Sequence, residues 1–408
     1  MHRTDPSAFR RSTPRDAISA RRDYSGPALF SYGFRPFFLF GAGWAALVAP
    51  IWIFAYLNGQ DMIGSTPALI WHAHEMLFGF LGAIIAGFLL TAVPNWTGRL
   101  PVRGLPLMIL FALWIAGRAA MLAYSTLGPV AAIVDSAFPL VLAGLLCREV
   151  VGGANTKNLP ICVLSSLFAL TNAGFHLALA TGADWRGPQT LAVAVITLMI
   201  ALIGGRIVPS FTRNWLVQNG RTGALPAPVG YFDLAALAFA GAALAGWVLA
   251  PQDWLAGTLL IAAGGLHAVR LARWQGWRTG AEPLVLILHA GYAWVPLALV
   301  LMGLAALIPG LVPASAALHA LTAGAMGTMT LAVMTRASLG HTGRERTADA
   351  WTKLIYMLVI SGALIRVLAP FLLGDLQYPA IGLSAALWSG AFALFTLRYA
   401  PMLTTSRR

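Results

Sequence analysis

Histidine is the residue type in this 408-residue chain with most scope for inorganic chemistry: there are eight histidines and only two cysteines, Cys147 and Cys162. Two thiols exclude a disulfide framework or a four-thiolate metal site. Imidazole is neutral enough to sit in hydrocarbon and is a common ligand for haem iron and copper. His2 lies in the amino-terminal tail and His341 in a loop, whereas His72, His74, His176, His267, His289 and His319 fall in long apolar stretches. Reading depth along those stretches puts His72, His74, His176 and His319 at one level, with His267 and His289 nearer the other side. Four imidazoles at one depth exceed what ordinary helix contacts require, so His72, His74, His176 and His319 are candidate metal ligands. Successive residues of an α-helix turn by about 100°, so His72 and His74 point roughly 200° apart and must serve different partners. On that geometry His72 shares a stripe with Glu75, Met76, Gly79 and Ala83, and His74 shares one with Leu77, Phe78, Leu81, Ile85 and Phe88.

The elements that position these residues follow from composition. The chain is 58% hydrophobic and 10% charged, with a mean hydropathy of +0.74; ordinary soluble domains carry roughly a quarter charged residues. About 20 consecutive apolar residues cross the hydrocarbon of a bilayer, and twelve such stretches are present: 36–57, 69–93, 105–125, 129–148, 159–181, 189–208, 231–250, 254–272, 283–308, 313–335, 352–373 and 379–397. The expected fold is an all-α polytopic bundle of twelve transmembrane helices over 36–397, between a basic tail at 1–35 and a short one at 398–408. Of the 27 lysines and arginines, only Arg186 falls in the loops that follow odd-numbered spans, and only Arg118 and Arg366 lie in the interior of spans rather than at their ends. The others lie in the tails, the alternate loops or the span ends beside them, which predicts a membrane protein with both termini cytoplasmic. Residues 1–27 lack the apolar core of a signal peptide. The net charge of +13 is spread over many segments rather than one patch, so lipid and not nucleic acid is the expected surface partner.

A charge at membrane depth is costly unless paired or facing a polar cavity. Arg118 and Arg366 are therefore candidates to hold anionic groups of a cofactor. Glu75 is taken as the acidic residue of the outer half of the spans, with proton delivery as its catalytic role and a hydrogen bond to a histidine or to Arg118 as its plain structural one. Arg366 lies close to the depth of His319, where it could meet a haem propionate, or else Glu75. Pro36, Pro160 and Pro283 open spans one, five and nine, which suggests three repeats of four helices. Aligning His74 with His319 also superposes Gly79 on Gly324, Gly82 on Gly327 and Thr97-Gly98-Arg99 on Thr342-Gly343-Arg344. Trp71, Trp96, Trp185, Trp215 and Trp254 are read as interface anchors and the two cysteines as inert thiols.

Several segments carry a resemblance. Gly33-Phe34-Arg35-Pro36-Phe37-Phe38, Trp71-His72-Ala73-His74-Glu75-Met76, Gly205-Arg206-Ile207-Val208-Pro209-Ser210-Phe211-Thr212, His289-Ala290-Gly291-Tyr292-Ala293-Trp294 and Arg336-Ala337-Ser338-Leu339-Gly340-His341-Thr342-Gly343-Arg344 resemble the NnrS family of bacterial membrane proteins over essentially the full length. That resemblance implies a protein with haem b and copper, acting in nitric oxide tolerance alongside denitrification and served by an electron donor that the sequence does not identify. The arrangement of spans is also similar to the catalytic subunit of the haem-copper oxidase and nitric oxide reductase superfamily. Carried over, this makes His74 and His319 the axial haem pair, with His72 as the alternative to His74, and puts Arg366 at a propionate. Spans six and seven carry no histidine, so copper would have to use others, such as His72, His176 or His289. A nitric oxide oxidoreductase, a haem-free twelve-helix transporter with Glu75, Arg118 and Arg366 round its cavity, and a sensor without turnover remain the functional alternatives.

Overall fold

The apolar stretches form helices, and the residues at their ends show why each starts and stops where it does. A computed structural model describes residues 24–221, 223–372 and 374–406; His2 and most of the basic amino-terminal tail lie outside them. Among the described residues there are twelve helices long and apolar enough to cross a bilayer: α1 Phe34–Leu57, α2 Ala68–Thr97, α3 Leu105–Leu122, α4 Pro129–Gly152, α5 Thr156–Thr181, α6 Arg186–Gln218, α7 Tyr231–Leu249, α8 Trp254–Arg273, α9 Pro283–Leu307, α10 Ala314–His341, α11 Ala350–Phe371 and α12 Gly374–Thr404. Proline occupies the first turn of α4, α5 and α9, where its missing N–H costs nothing. Asp253, Glu282 and Asp349 cap α8, α9 and α11 by accepting backbone N–H bonds. Gly98 and Gly182 end α2 and α5 at φ of 72° and 71°, a left-handed turn that glycine adopts without strain.

Helices adjacent in sequence pack side by side, and α12 returns along α1 to close the bundle. Arg35, in the first turn of α1, is buried and donates from Nη1 to the carbonyls of Leu403 at 2.9 Å and Thr405 at 2.6 Å, at the last turn of α12. A cation on the free carbonyls of a helix end satisfies acceptors that have no partner within the helix. Hydrogen bonds to a charged donor contribute about 1.5–3 kcal/mol. Arg35→Ala should therefore lower the thermal midpoint of the purified protein measurably, and an unchanged midpoint would show that the ring closes without it.

The most interior helix of the bundle is α2, with α9 and α10 next. Both α2 and α10 contain a π-helical segment, Glu75–Leu81 and Ala320–Met326, and each begins at the residue after the aligned histidine, His74 or His319. A π segment bonds i to i+5 and leaves carbonyls without their usual partner. In each case a tryptophan from a neighbouring helix donates to one of them: Trp114 to Gly79 at 2.9 Å and Trp388 to Ala323 at 3.2 Å. The sequence match between α2 and α10 thus extends to backbone geometry. The corresponding helix of the middle group, α6, is continuous α-helix.

The loop before α2 is a small hairpin, Met62–Ile63 paired antiparallel with Thr66–Pro67. Thr66 Oγ1 donates to the Met121 carbonyl at 2.6 Å and the Ser65 N–H to Leu122 at 3.0 Å. These bonds tie the start of α2, and with it the histidine motif, to the end of α3.

Candidate functional site

The π segment sets which way each side chain of the Trp71–Met76 motif points. Its wider turn carries Glu75 and Gly79 away from the His72 stripe expected of a regular helix. His72 instead shares a cavity with Met76 and Phe80, while Glu75 turns to the side of His74. Two sites result.

The first is a cavity bounded by α1, α2, α6, α10, α11 and α12. Its polar lining includes His72, His319 and Arg366, set among Trp52, Met76, Phe80, Trp185 and Trp388, and it holds about 1010 Å³ of space with its mouth included. The His72 ring stacks on Trp52, with centroids 4.3 Å apart and an interplanar angle of 24°. His72 Nδ1 is buried and makes no hydrogen bond among the described residues. His319 Nδ1 lies 2.7 Å from the Ser315 carbonyl, which can only accept, so the proton is on Nδ1 and the Nε2 lone pair is free. Arg366 Nη1 is likewise buried without a partner. Two imidazoles and a guanidinium thus face a largely apolar space with hydrogen-bonding capacity unused, an arrangement that costs free energy unless a ligand completes it.

The second site is a buried network among α1, α2, α3, α4 and α5. His74 Nδ1 lies 3.0 Å from Glu75 Oε1, and its Nε2 lies 3.0 Å from Asp135 Oδ2. Arg118 donates to Glu75 Oε2 at 2.7 Å and pairs its other terminal nitrogen with Asp135 Oδ1. Trp44 Nε1 donates to Glu75 Oε2 at 2.7 Å. His176 Nε2 reaches Asp135 Oδ2 at 2.9 Å, and Asn172, held by Ser136, donates to the same oxygen at 2.8 Å. His74, Asp135 and His176 each offer one ligand atom within 4.8 Å of the others. Gly79 is small because it must be: a Cβ there would overlap both the Arg118 guanidinium and the Glu75 carboxylate.

The four histidines read as sharing one depth are therefore divided, His72 and His319 to the cavity and His74 and His176 to the network. His74 and His319 do not share a site, and His72 is the α2 histidine that lines the cavity with His319. Both ring nitrogens of His74 are occupied by carboxylates. Arg118 holds the two carboxylates and lies outside the cavity lining, while Arg366 lies in that lining and not against Glu75. Glu75 has both oxygens engaged and does not line the cavity, so it positions His74 and Arg118. His289 sits elsewhere, with Nε2 2.7 Å from Thr212 Oγ1. His267 bonds Tyr292, which also accepts from Arg270, itself paired with Asp233.

The sequence reading missed Asp135, a second acidic residue in the outer half of a span. The membrane-depth rule that flagged Arg118 would have flagged it too. It also passed over Asn172, one turn before His176 on the same helix face, which was the available signal.

These features define a polytopic α-helical membrane protein with imidazoles gathered at two intramembrane sites. The family model described as NnrS protein matches residues 28–407, and the chain belongs to that family. Comparison with curated proteins gave no match.

Proposed function

We propose that this chain is a haem-binding protein of the bacterial inner membrane that acts in nitric oxide tolerance, with His72, His319 and Arg366 holding the haem. The observation that carries this reading is the cavity itself, where ring nitrogens from two helices and a guanidinium whose Nη1 has no partner among the described residues face one largely apolar space. The donor set fits the group: imidazole is the usual axial ligand, and a buried guanidinium matches a propionate. Bound there, a haem would supply an iron able to take nitric oxide.

The protein's own part is to orient the ligands and to wall the cavity. Trp52 fixes the His72 ring by stacking, and the Ser315 carbonyl fixes the tautomer of His319. Phe80, Trp185 and Trp388 give the cavity apolar walls. Copper beside the haem does not fit, because the cavity has no imidazole beyond these two among its lining residues. Membership of the family supports the link to nitric oxide, and the arginine distribution supports cytoplasmic termini.

The test is optical. Protein purified from haem-replete cells should show a Soret band that shifts when nitric oxide is added. A colourless protein, or a band that nitric oxide does not move, would refute the reading.

A further inference from the structure

Asp135 Oδ2 has more partners than it can serve with protons alone. His74 Nε2 at 3.0 Å, His176 Nε2 at 2.9 Å and Asn172 Nδ2 at 2.8 Å converge on it, while a carboxylate oxygen offers two lone pairs. The amide nitrogen of Asn172 always carries protons and takes one of them. If the imidazole contacts were also hydrogen bonds, His74 would need protons on both nitrogens, since its Nδ1 faces Glu75 Oε1. His176 would need its proton on Nε2, which leaves Nδ1 as a buried acceptor, and Nδ1 has no donor.

We propose that His74 Nε2, His176 Nε2 and Asp135 Oδ2 bind one divalent transition-metal ion of borderline softness, at a site separate from the cavity. One cation in place of the imidazole protons relieves the crowding at Asp135 Oδ2 and lets His74 stay singly protonated. His74 keeps a proton on Nδ1 and gives it to Glu75, the outer carboxylate that metal-bound histidines commonly engage. His176 carries its remaining proton on Nδ1. Arg118 continues to balance the carboxylates, and Asn172 orients Asp135. Two nitrogens and one oxygen suit zinc and its neighbours, and a three-ligand site keeps a fourth position open.

His176 also borders a largely apolar groove. This groove between α4 and α5, about 1330 Å³ with its open side included, is lined by Tyr124, Pro129, Ser136, Ala173 and His176. It begins at the α3–α4 connection, and the Tyr124 ring stacks near His176 at 5.8 Å and 17°. Of the three ligand residues, His176 is the one in the lining of this groove.

The experiment uses the full chain in detergent, stripped with a chelator and titrated with Co²⁺. Roughly one ion per chain should bind, with the intense visible bands of low-coordinate cobalt, and Zn²⁺ should displace it. Glu75→Gln should weaken binding about 10–100-fold, as loss of an outer partner does, and His176→Ala should weaken it further. His72→Ala should keep the ion, which separates failure of this site from failure of the haem reading. X-ray absorption on the zinc-loaded wild type should show imidazole scattering, and this holds even where the variants do not fold. Absence of cobalt bands in the wild type, His176→Ala binding as the wild type does, or zinc without imidazole neighbours would each overturn the site.

Discussion

His319→Ala removes the Soret band of the purified protein, and His72→Ala does the same, while His289→Ala leaves it intact; this is the expected result of the largest spectroscopic effect in the molecule. The reason is the division of imidazoles between two sites. His72 and His319 line the cavity and have lone pairs available there, whereas His289 is bonded to Thr212 elsewhere. Removing either cavity imidazole leaves one ligand and Arg366 to retain the group. A loss of about 4 kcal/mol of binding lowers affinity on the order of 1000-fold, enough for the group to be lost during purification. Pyridine haemochrome content per chain, measured alongside the spectrum, checks it. Retention of a full band in both alanine variants would show that the cavity is not the haem site.

Arg118→Leu should prevent the protein from accumulating in folded form. Glu75 is fully buried and Asp135 almost so, and Arg118 is the arginine that pairs with both. Breaking a buried ion pair costs about 3–5 kcal/mol because an uncompensated charge remains, and here two carboxylates lose their partner. Folded proteins are stable by only about 5–15 kcal/mol in total. Combining Arg118→Leu with Glu75→Gln and Asp135→Asn should restore folded yield, since neutral amides remove the stranded charge. Arg118→Lys should rescue only in part, because an ammonium lacks the planar fork that reaches two carboxylates at once. The yield of monodisperse protein in detergent, with its thermal midpoint, reads all four chains. A singly substituted Arg118→Leu protein with wild-type yield and midpoint would show that the network contributes little to stability.

The chain by itself determined the architecture. Twelve stretches of sufficient length and apolarity can only cross a bilayer as helices, since a helix satisfies its own backbone in hydrocarbon. Their order and the kinship of α2 with α10 were also legible, through His74 and His319 and the glycines that follow them. Glu75 near Arg118, and a cation on α11 at the depth of His319, could be anticipated because charges at membrane depth are few and must find partners.

Only the tertiary structure decided which imidazoles meet. A regular helical wheel sets Glu75 beside His72, but the π segment starting at Glu75 alters the turn and moves it beside His74. That backbone form depends on an indole from another helix taking a carbonyl of the segment, Trp114 for α2 and Trp388 for α10. Nothing local to residues 68–97 specifies such a partner. For the same reason Asp135 and Asn172 became visible as site residues only when α4 and α5 were packed against α2. Periodicity within one helix fixes relative directions along a regular spiral, whereas which groups share a site depends on the faces that other helices bring to it.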